Sequence, residues 1–190
     1  MKAEVFHLVD VLQTQEAAML QVEVACRDEC VLDREQVLNV IRRAFGREST
    51  ANYVKRLDEE GRIFKSIVAI ENDRVIGHIV YTLLPVEVDG KPVRAIGLSC
   101  LSVDPEKQSL GVGSRLIKHS LPLVAQAGMA AVIVLGHPRY YPRFGFSAEI
   151  AQKLKAPFSG KPSFMALELV PNALQGSSGS VEYAPVYLEE

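Results

Sequence analysis

The stretch Val103-Asp104-Pro105-Glu106-Lys107-Gln108-Ser109-Leu110-Gly111-Val112-Gly113-Ser114-Arg115-Leu116 joins two different hydrophobic periods. Ahead of it, Ala95 to Val103 is an apolar run of strand length and strand composition. Behind it, Leu116, Ile117, Leu121 and Val124 recur at helical spacing. The stretch is therefore a strand-to-helix turn. Gly111 and Gly113 sit where the helix begins, removing Cβ atoms so that a ligand can approach the backbone. Unpaired amides at a helix N-terminus attract anions, and a glycine-lined terminus suits a phosphate or pyrophosphate.

Three familiar motifs fail here. No Gly-Lys-Ser/Thr ending is present, so this is not a Walker A loop, and no third glycine stands at the dinucleotide-binding spacing. Gly97-Leu98-Ser99-Cys100-Leu101 begins like a nucleophile elbow but carries leucine at its fifth position.

A second apolar strand, residues 130–135, runs into Gly136-His137-Pro138-Arg139-Tyr140-Tyr141-Pro142-Arg143-Phe144-Gly145-Phe146. Gln108-x-x-Gly111-x-Gly113 resembles the Gln/Arg-x-x-Gly-x-Gly/Ala acyl-CoA loop of the GCN5-related N-acetyltransferase (GNAT) superfamily. Tyr141-x-x-x-Gly145-Phe146 is similar to that family's second signature. Within the superfamily, the run from Leu135 to Phe146 resembles the YhbS-like branch of acetyltransferases. The likeness extends from about Leu20 to the C-terminus, including Phe164 to Leu169 and Gly179 to Tyr183. It implies an α+β, three-layer GNAT acyl-CoA N-acyltransferase fold. In that fold a mixed, mostly antiparallel central sheet is flanked by helices, and two neighbouring strands splay apart at the CoA site. It also implies one domain over residues 18–190, preceded by an extension over residues 1–17.

Composition narrows the surroundings. With 190 residues, 48% hydrophobic and 23% charged, the chain can bury one substantial core without staples. Lys and Arg total 21 against 23 Asp and Glu, a formal charge of −2 with no basic block, which argues against nucleic acid as a partner. Cys26, Cys30 and Cys100 are an odd set without a tight pairing pattern, which favours a reducing compartment. No His or Cys pair completes a four-ligand set with Cys26 and Cys30, so no metal is expected. No apolar run approaches the ~18 residues of a membrane span, and no basic region precedes an apolar core at the N-terminus. The expectation is a cytoplasmic protein without a membrane partner. Exposed edge strands and the N-terminal extension are compatible with a homodimer.

Along the chain, residues 19–25 alternate apolar and polar, as a first half-buried strand does. Residues 31–45 place Val31, Gln36 or Val37, Val40, Ile41 and Phe45 on one helical face before Gly46, and residues 53–60 form a second short helix ended by Gly61. Residues 65–70 and 75–82 read as a hairpin, with His78 as a histidine satisfied by its sheet neighbours. An Asp89-Gly90 turn ends the next strand. Pro122 predicts a kink or an early helix end near His119. Residues 151–162 read as a loop, and residues 164–170 and 180–187 as closing strands.

Acyl transfer from a thioester to an amine needs a grip on CoA, a neutral amine, a donor for the oxyanion and a proton for the thiolate. The resemblance implies that the amides of Leu110, Gly111, Val112, Gly113 and Ser114 hold the pyrophosphate of acetyl-CoA. Gln108 is the first motif position, and Ser109 stands where close relatives often carry glycine, which predicts a stiffer loop. A backbone amide around Leu101, Ser102 and Val103 is implied as the oxyanion donor. Tyr141 matches the family's general acid, with Tyr140 as the second candidate. A phenol of reference pKa ~10 stays protonated while a thiol near ~8.5 leaves as thiolate. Relatives often carry a glutamate on the strand before the loop, yet Gly97 stands near that position and no carboxylate lies between Ala95 and Val103. Glu87, His137 and a water chain are the candidate bases, none of them assigned. Arg115 and Lys118 read as solvated rather than phosphate-binding, and Cys100 as a small buried residue.

The first reading is an acetyl-CoA-dependent N-acetyltransferase acting on a primary amine by direct attack in a ternary complex. The second is a non-catalytic acyl-CoA-binding sensor or interaction module of the same fold, against which the presence of Tyr141 argues. The acceptor stays open among small amines, peptide N-termini and protein lysines.

Overall fold

Alternating apolar residues and tight polar turns build the sheet of this protein, whose computed structural model describes residues 24–187. Strand β1 (Ala25–Asp28) opens the described chain. Most of the strand expected over residues 19–25, and all of the extension over 1–17, lie outside the described residues. A 3-10 turn over Val31–Asp33 leads into α1 (Arg34–Phe45), which ends where Gly46 turns left-handed with φ 66°. That turn corrects the sequence reading of residues 31–45 as one helix. Val31 is 91% exposed and lies off the buried face, because the Asp33 carboxylate draws the turn onto the Cys30 amide (2.8 Å).

Helix α2 (Glu48–Glu59) begins before the expected residue 53. Its buried stripe of Thr50, Ala51, Val54 and Leu57 opens on two small residues that carry little hydrophobic signal. Strands β2 (Ile63–Glu71) and β3 (Arg74–Leu83) form the expected hairpin. Its two-residue turn places Asn72 and Asp73 at φ 49° and 58°, the left-handed pair that matches strand twist. Strands β4 (Val86–Val88) and β5 (Lys91–Val93) repeat the device at Asp89-Gly90.

Next come β6 (Ala95–Val103), α3 (Val112–Gln126), β7 (Ala131–Leu135), the single turn α4 (Ala148–Ala151), β8 (Leu154–Lys155), β9 (Phe164–Glu168) and β10 (Gly179–Val181). The main sheet has the order β1-β2-β3-β6-β7-β9, and every pair is antiparallel except β6 with β7. Helices α1 and α2 cover one face through Val37, Ile41 and Val54 on Val68 and Val80; α3 covers the other through Leu116 and Ile117 on Ile67 and Ile79. This is the α+β, three-layer arrangement anticipated from the motifs.

Two expectations at the C-terminal side change. The segment 151–162 is not wholly loop: β8 pairs with β10, and a second sheet runs β5-β4-β10-β8. The closing strand expected over residues 180–187 stops at Val181 and gives way to a 3-10 turn over Pro185–Tyr187. Pro185 has no amide hydrogen to donate to a ladder, so a strand across it would carry a gap. Of the kink or early end expected near His119, the early end does not occur, since α3 continues through Pro122 to Gln126. Pro122 lies on the exposed side of the helix, as does Lys118 one turn earlier, so water can satisfy the carbonyl that Pro122 leaves without an amide.

Candidate active site

Strands β6 and β7 separate at a defined point. Their ladder runs from Ala95↔Ala131 to Leu98↔Val134 and stops, while β6 continues to Val103. At that point β6 also carries a bulge against β3: Val80 faces Cys100 and Tyr81 faces Leu98, leaving Ser99 as the extra residue. A bulge bends its strand and sharpens the twist, which carries the rest of β6 away from β7 and opens a fork. Asp104 donates its amide to Ile76 O on β3 (2.9 Å), and alternation along the strand then turns the amides of Leu101 and Val103 toward the fork.

The loop after β6 closes the fork's end. Asp104 caps a 3-10 turn over Pro105–Lys107 by accepting from the Glu106 amide (3.1 Å), and Arg43 at the end of α1 pairs with both Asp104 and Glu106 (2.8 Å each). Gln108 Nε2 donates to Val103 O at 3.1 Å, tying the loop back to its strand. Ser109 adopts φ 62°, so a serine holds a left-handed position that glycine would occupy without strain. Gly111 follows at φ 86° with open space where a Cβ would stand, and caps α3. The amides of Val112, Gly113 and Ser114 form the first turn, whose donors have no acceptor within the helix.

A cleft of about 460 Å³ lies against this turn. Of the residues singled out in the sequence, Leu101, Val103, Gln108, Ser109, Gly111, Val112, Gly113 and Ser114 line it. Leu110 points outward, 71% exposed, and Ser102 is buried with its side chain away from the cleft, so neither lines it. Tyr140 lines the cleft as well; a Cβ on Gly113 would stand 2.7 Å from the Tyr140 hydroxyl, which gives that glycine a second role. Tyr141 packs deeper, 8% exposed, with its ring so close to Gly136 that a Cβ there would lie 2.1 Å from it. Burial first, then neighbouring Tyr140, Cys100 and Tyr81, push its phenol well above the ordinary tyrosine value.

Sequence reading missed two cationic residues of the cleft, Arg143 and Lys107. Arg143 lies over the Tyr140 ring at 4.5 Å and donates to Tyr140 O at 3.2 Å, while Lys107 pairs with Glu71. Arg143 sits inside the second signature, and that context was the available signal. Arg115 instead donates to Val24 O at 2.8 Å. The residues fit a CoA: free helix-turn amides face a cleft beside two cations, and a glycine keeps the approach to the backbone open.

Further back along β6, a hollow of about 120 Å³ is bounded by Gly97, Ser99, Tyr53, Leu135, Phe158 and Tyr183, among others. Ser99 and Thr82 hydroxyls bond at 2.6 Å on its wall. Among the described residues, no Asp, Glu or His lines either the cleft or the hollow. Of the candidate bases, Glu87 lines a separate depression with Asp89 and Lys155, and His137 is exposed and accepts from the Arg139 amide (3.3 Å). His78 is fully buried, its Nε2 2.8 Å from Ser66 Oγ and 3.6 Å from Glu29, in line with a structural histidine. Among the described residues, no group of three His, Cys, Asp or Glu could hold a metal ion, and no helix is long and apolar enough to cross a membrane.

The family model described as the acetyltransferase (GNAT) domain matches residues 32–148. The uncharacterized N-acetyltransferase YhbS of Escherichia coli K12 is 32% identical over 159 residues, covering 83% of this chain and 94% of that protein. The crystal structure of Escherichia coli YhbS in complex with CoA superposes with a TM-score of 0.80 at 30% identity, covering 88% of this chain and 93% of that one. A GNAT family acetyltransferase from Brucella melitensis, solved in complex with acetyl-CoA, gives a TM-score of 0.70 at 28% identity, covering 88% and 99%. With the forked β6–β7 pair and the glycine-capped α3 already in place, these likenesses make the chain a YhbS-like member of the GNAT acetyltransferase family.

Proposed function

We propose that this protein transfers an acetyl group from acetyl-CoA to a primary amine by direct attack in a ternary complex. The observation that carries the reading is the fork: β6 leaves β7 at Leu98, and a glycine-capped helix turn closes the far end. When bound, acetyl-CoA supplies the activated acyl group as a thioester.

The chain's own residues supply the rest. Amides of Val112, Gly113 and Ser114 hold the pyrophosphate, with Arg143 at the cleft wall to offset its charge. Leu101 and Val103, whose amides turn toward the fork, are the donors for negative charge developing on the carbonyl oxygen. An amine nitrogen forms the new N–C bond as the C–S bond breaks. Tyr141 holds a proton beside the fork for the departing sulfur and regains one, through water, from the amine. Its raised pKa keeps that proton in place across neutral and mildly alkaline pH. Among the described residues no carboxylate or imidazole lines the route, so the amine must arrive neutral.

The second reading, binding without turnover, keeps the same cleft and predicts no amine-dependent thiol release. Release of free CoA thiol from acetyl-CoA in the presence of amines separates the two. Tyr141→Phe should lower kcat by about tenfold to a thousandfold with little change in acetyl-CoA affinity. An equal loss in Tyr140→Phe and none in Tyr141→Phe would transfer the role to the residue that lines the cleft.

A further inference from the structure

Resting on the reading of the cleft as the acetyl-CoA site, the geometry points to the hollow behind the fork as the acceptor site. We infer that it takes a weakly basic primary amine carried on a single flat ring. The cleft reaches Leu101 and the hollow reaches Ser99, a separation of two residues, or about 7 Å of strand. An acyl group held in the fork therefore lies within reach of both.

Size and lining select the acceptor's body. The hollow holds about 120 Å³, less than the roughly 150 Å³ of a closed cavity that accommodates benzene, so it has room for at most one ring, with the rest of the molecule outside its mouth, and none for a polycyclic body. Phe158 and Tyr183 meet edge to face at 5.3 Å, and with Tyr53 they offer ring walls, to which Leu135 adds an aliphatic side chain. Ser99, placed by the bulge, and Gly97 form the floor on β6.

Charge selects the amine. Among the described residues, the lining holds no carboxylate to attract an ammonium and no imidazole to deprotonate one. Lys161 sits over the Phe158 ring at 5.4 Å and adds a like charge nearby. A lysine-like amine of pKa ~10.4 is only about one part in a thousand neutral near pH 7.4. Aromatic walls could hold its ammonium by cation–π attraction, but in that form the nitrogen has no lone pair with which to attack. An aromatic amine is already neutral at this pH and needs no base.

The full chain would be supplied with acetyl-CoA and, in turn, 4-methylaniline, benzylamine or cadaverine at pH 7.4, with thiol release followed and acetyl-CoA affinity measured separately by calorimetry. We expect kcat/KM for 4-methylaniline to exceed that for the other two by about tenfold or more, and Phe158→Ala to lower it by about tenfold through the acceptor KM. Acetyl-CoA affinity should stay within about twofold in that variant, and Phe158→Leu, which retains an apolar side chain, should give an intermediate loss. Preference for cadaverine or benzylamine, no turnover of any of the three, or an unchanged acceptor KM in Phe158→Ala would overturn the inference while acetyl-CoA still binds. Failure of the wild-type protein to bind acetyl-CoA would instead remove the function on which it rests.

Discussion

The cleft at the end of β6 and the hollow behind it are built in opposite ways. Much of the cleft comes from one continuous stretch, Leu101 to Ser114, whose backbone amides are the proposed binding groups and whose Gly111 leaves them accessible. The hollow is assembled from side chains on α2, β6, β7 and the segments carrying Phe158 and Tyr183. Backbone recognition tolerates little change at a few positions, whereas a wall of side chains can be altered piece by piece.

Gly111→Glu gives the largest expected effect on this contrast. It places a carboxylate beside the amides proposed to hold the pyrophosphate, at a φ of 86°, so acetyl-CoA affinity should fall by about a hundredfold or more, as read by calorimetry. The hollow should be untouched. Should affinity survive, backbone recognition is not what the cleft does.

Gly136→Ala sits between the two regions. Its new methyl meets the Tyr141 ring, and overpacking of this kind costs about 1–3 kcal/mol in a denaturant titration. Turnover should fall further than acetyl-CoA affinity, because the ring that moves stands at the fork rather than at the loop. Parallel losses of both would contradict the separation.

Glu29→Gln is the mildest probe and tests independence from a third region. Burial pushes the Glu29 carboxyl up, but the hydrogen bond donated by the Ser66 hydroxyl, together with the neighbouring His78 ring and the Arg34 guanidinium, outweighs it and leaves it below its ordinary value. A carboxyl depressed in the folded state stabilises above its unfolded pKa of ~4.3, and that contribution is lost as pH falls through the folded value. Glu29→Gln should therefore cost about 1–3 kcal/mol at pH 7, with the gap to wild type narrowing below pH ~4. Acetyl-CoA affinity should not change.

What the sequence disclosed follows the same division. The β6–loop–α3 unit was legible because the change of hydrophobic period, the glycines and Gln108 all lie within one short stretch. Arg143 lies within the second signature, yet its place at the cleft wall depends on how the Tyr140 ring packs. The Ser99 bulge was not legible, since it is a mismatch between β6 and β3 that neither strand shows alone. The hollow was not legible either, because Tyr53 and Tyr183 meet only through the fold. Pro122 misled for a related reason: whether proline ends a helix depends on whether the freed carbonyl faces water, and here it does.

Calorimetric titration of the full chain with acetyl-CoA, beside desulfo-CoA and free ADP, tests the central claim most directly. Saturable one-to-one binding of acetyl-CoA and desulfo-CoA is expected, with weaker binding of ADP, which has the pyrophosphate but no pantetheine arm to enter the fork. Absence of acetyl-CoA binding by folded protein, or ADP binding as tightly as acetyl-CoA, would contradict it.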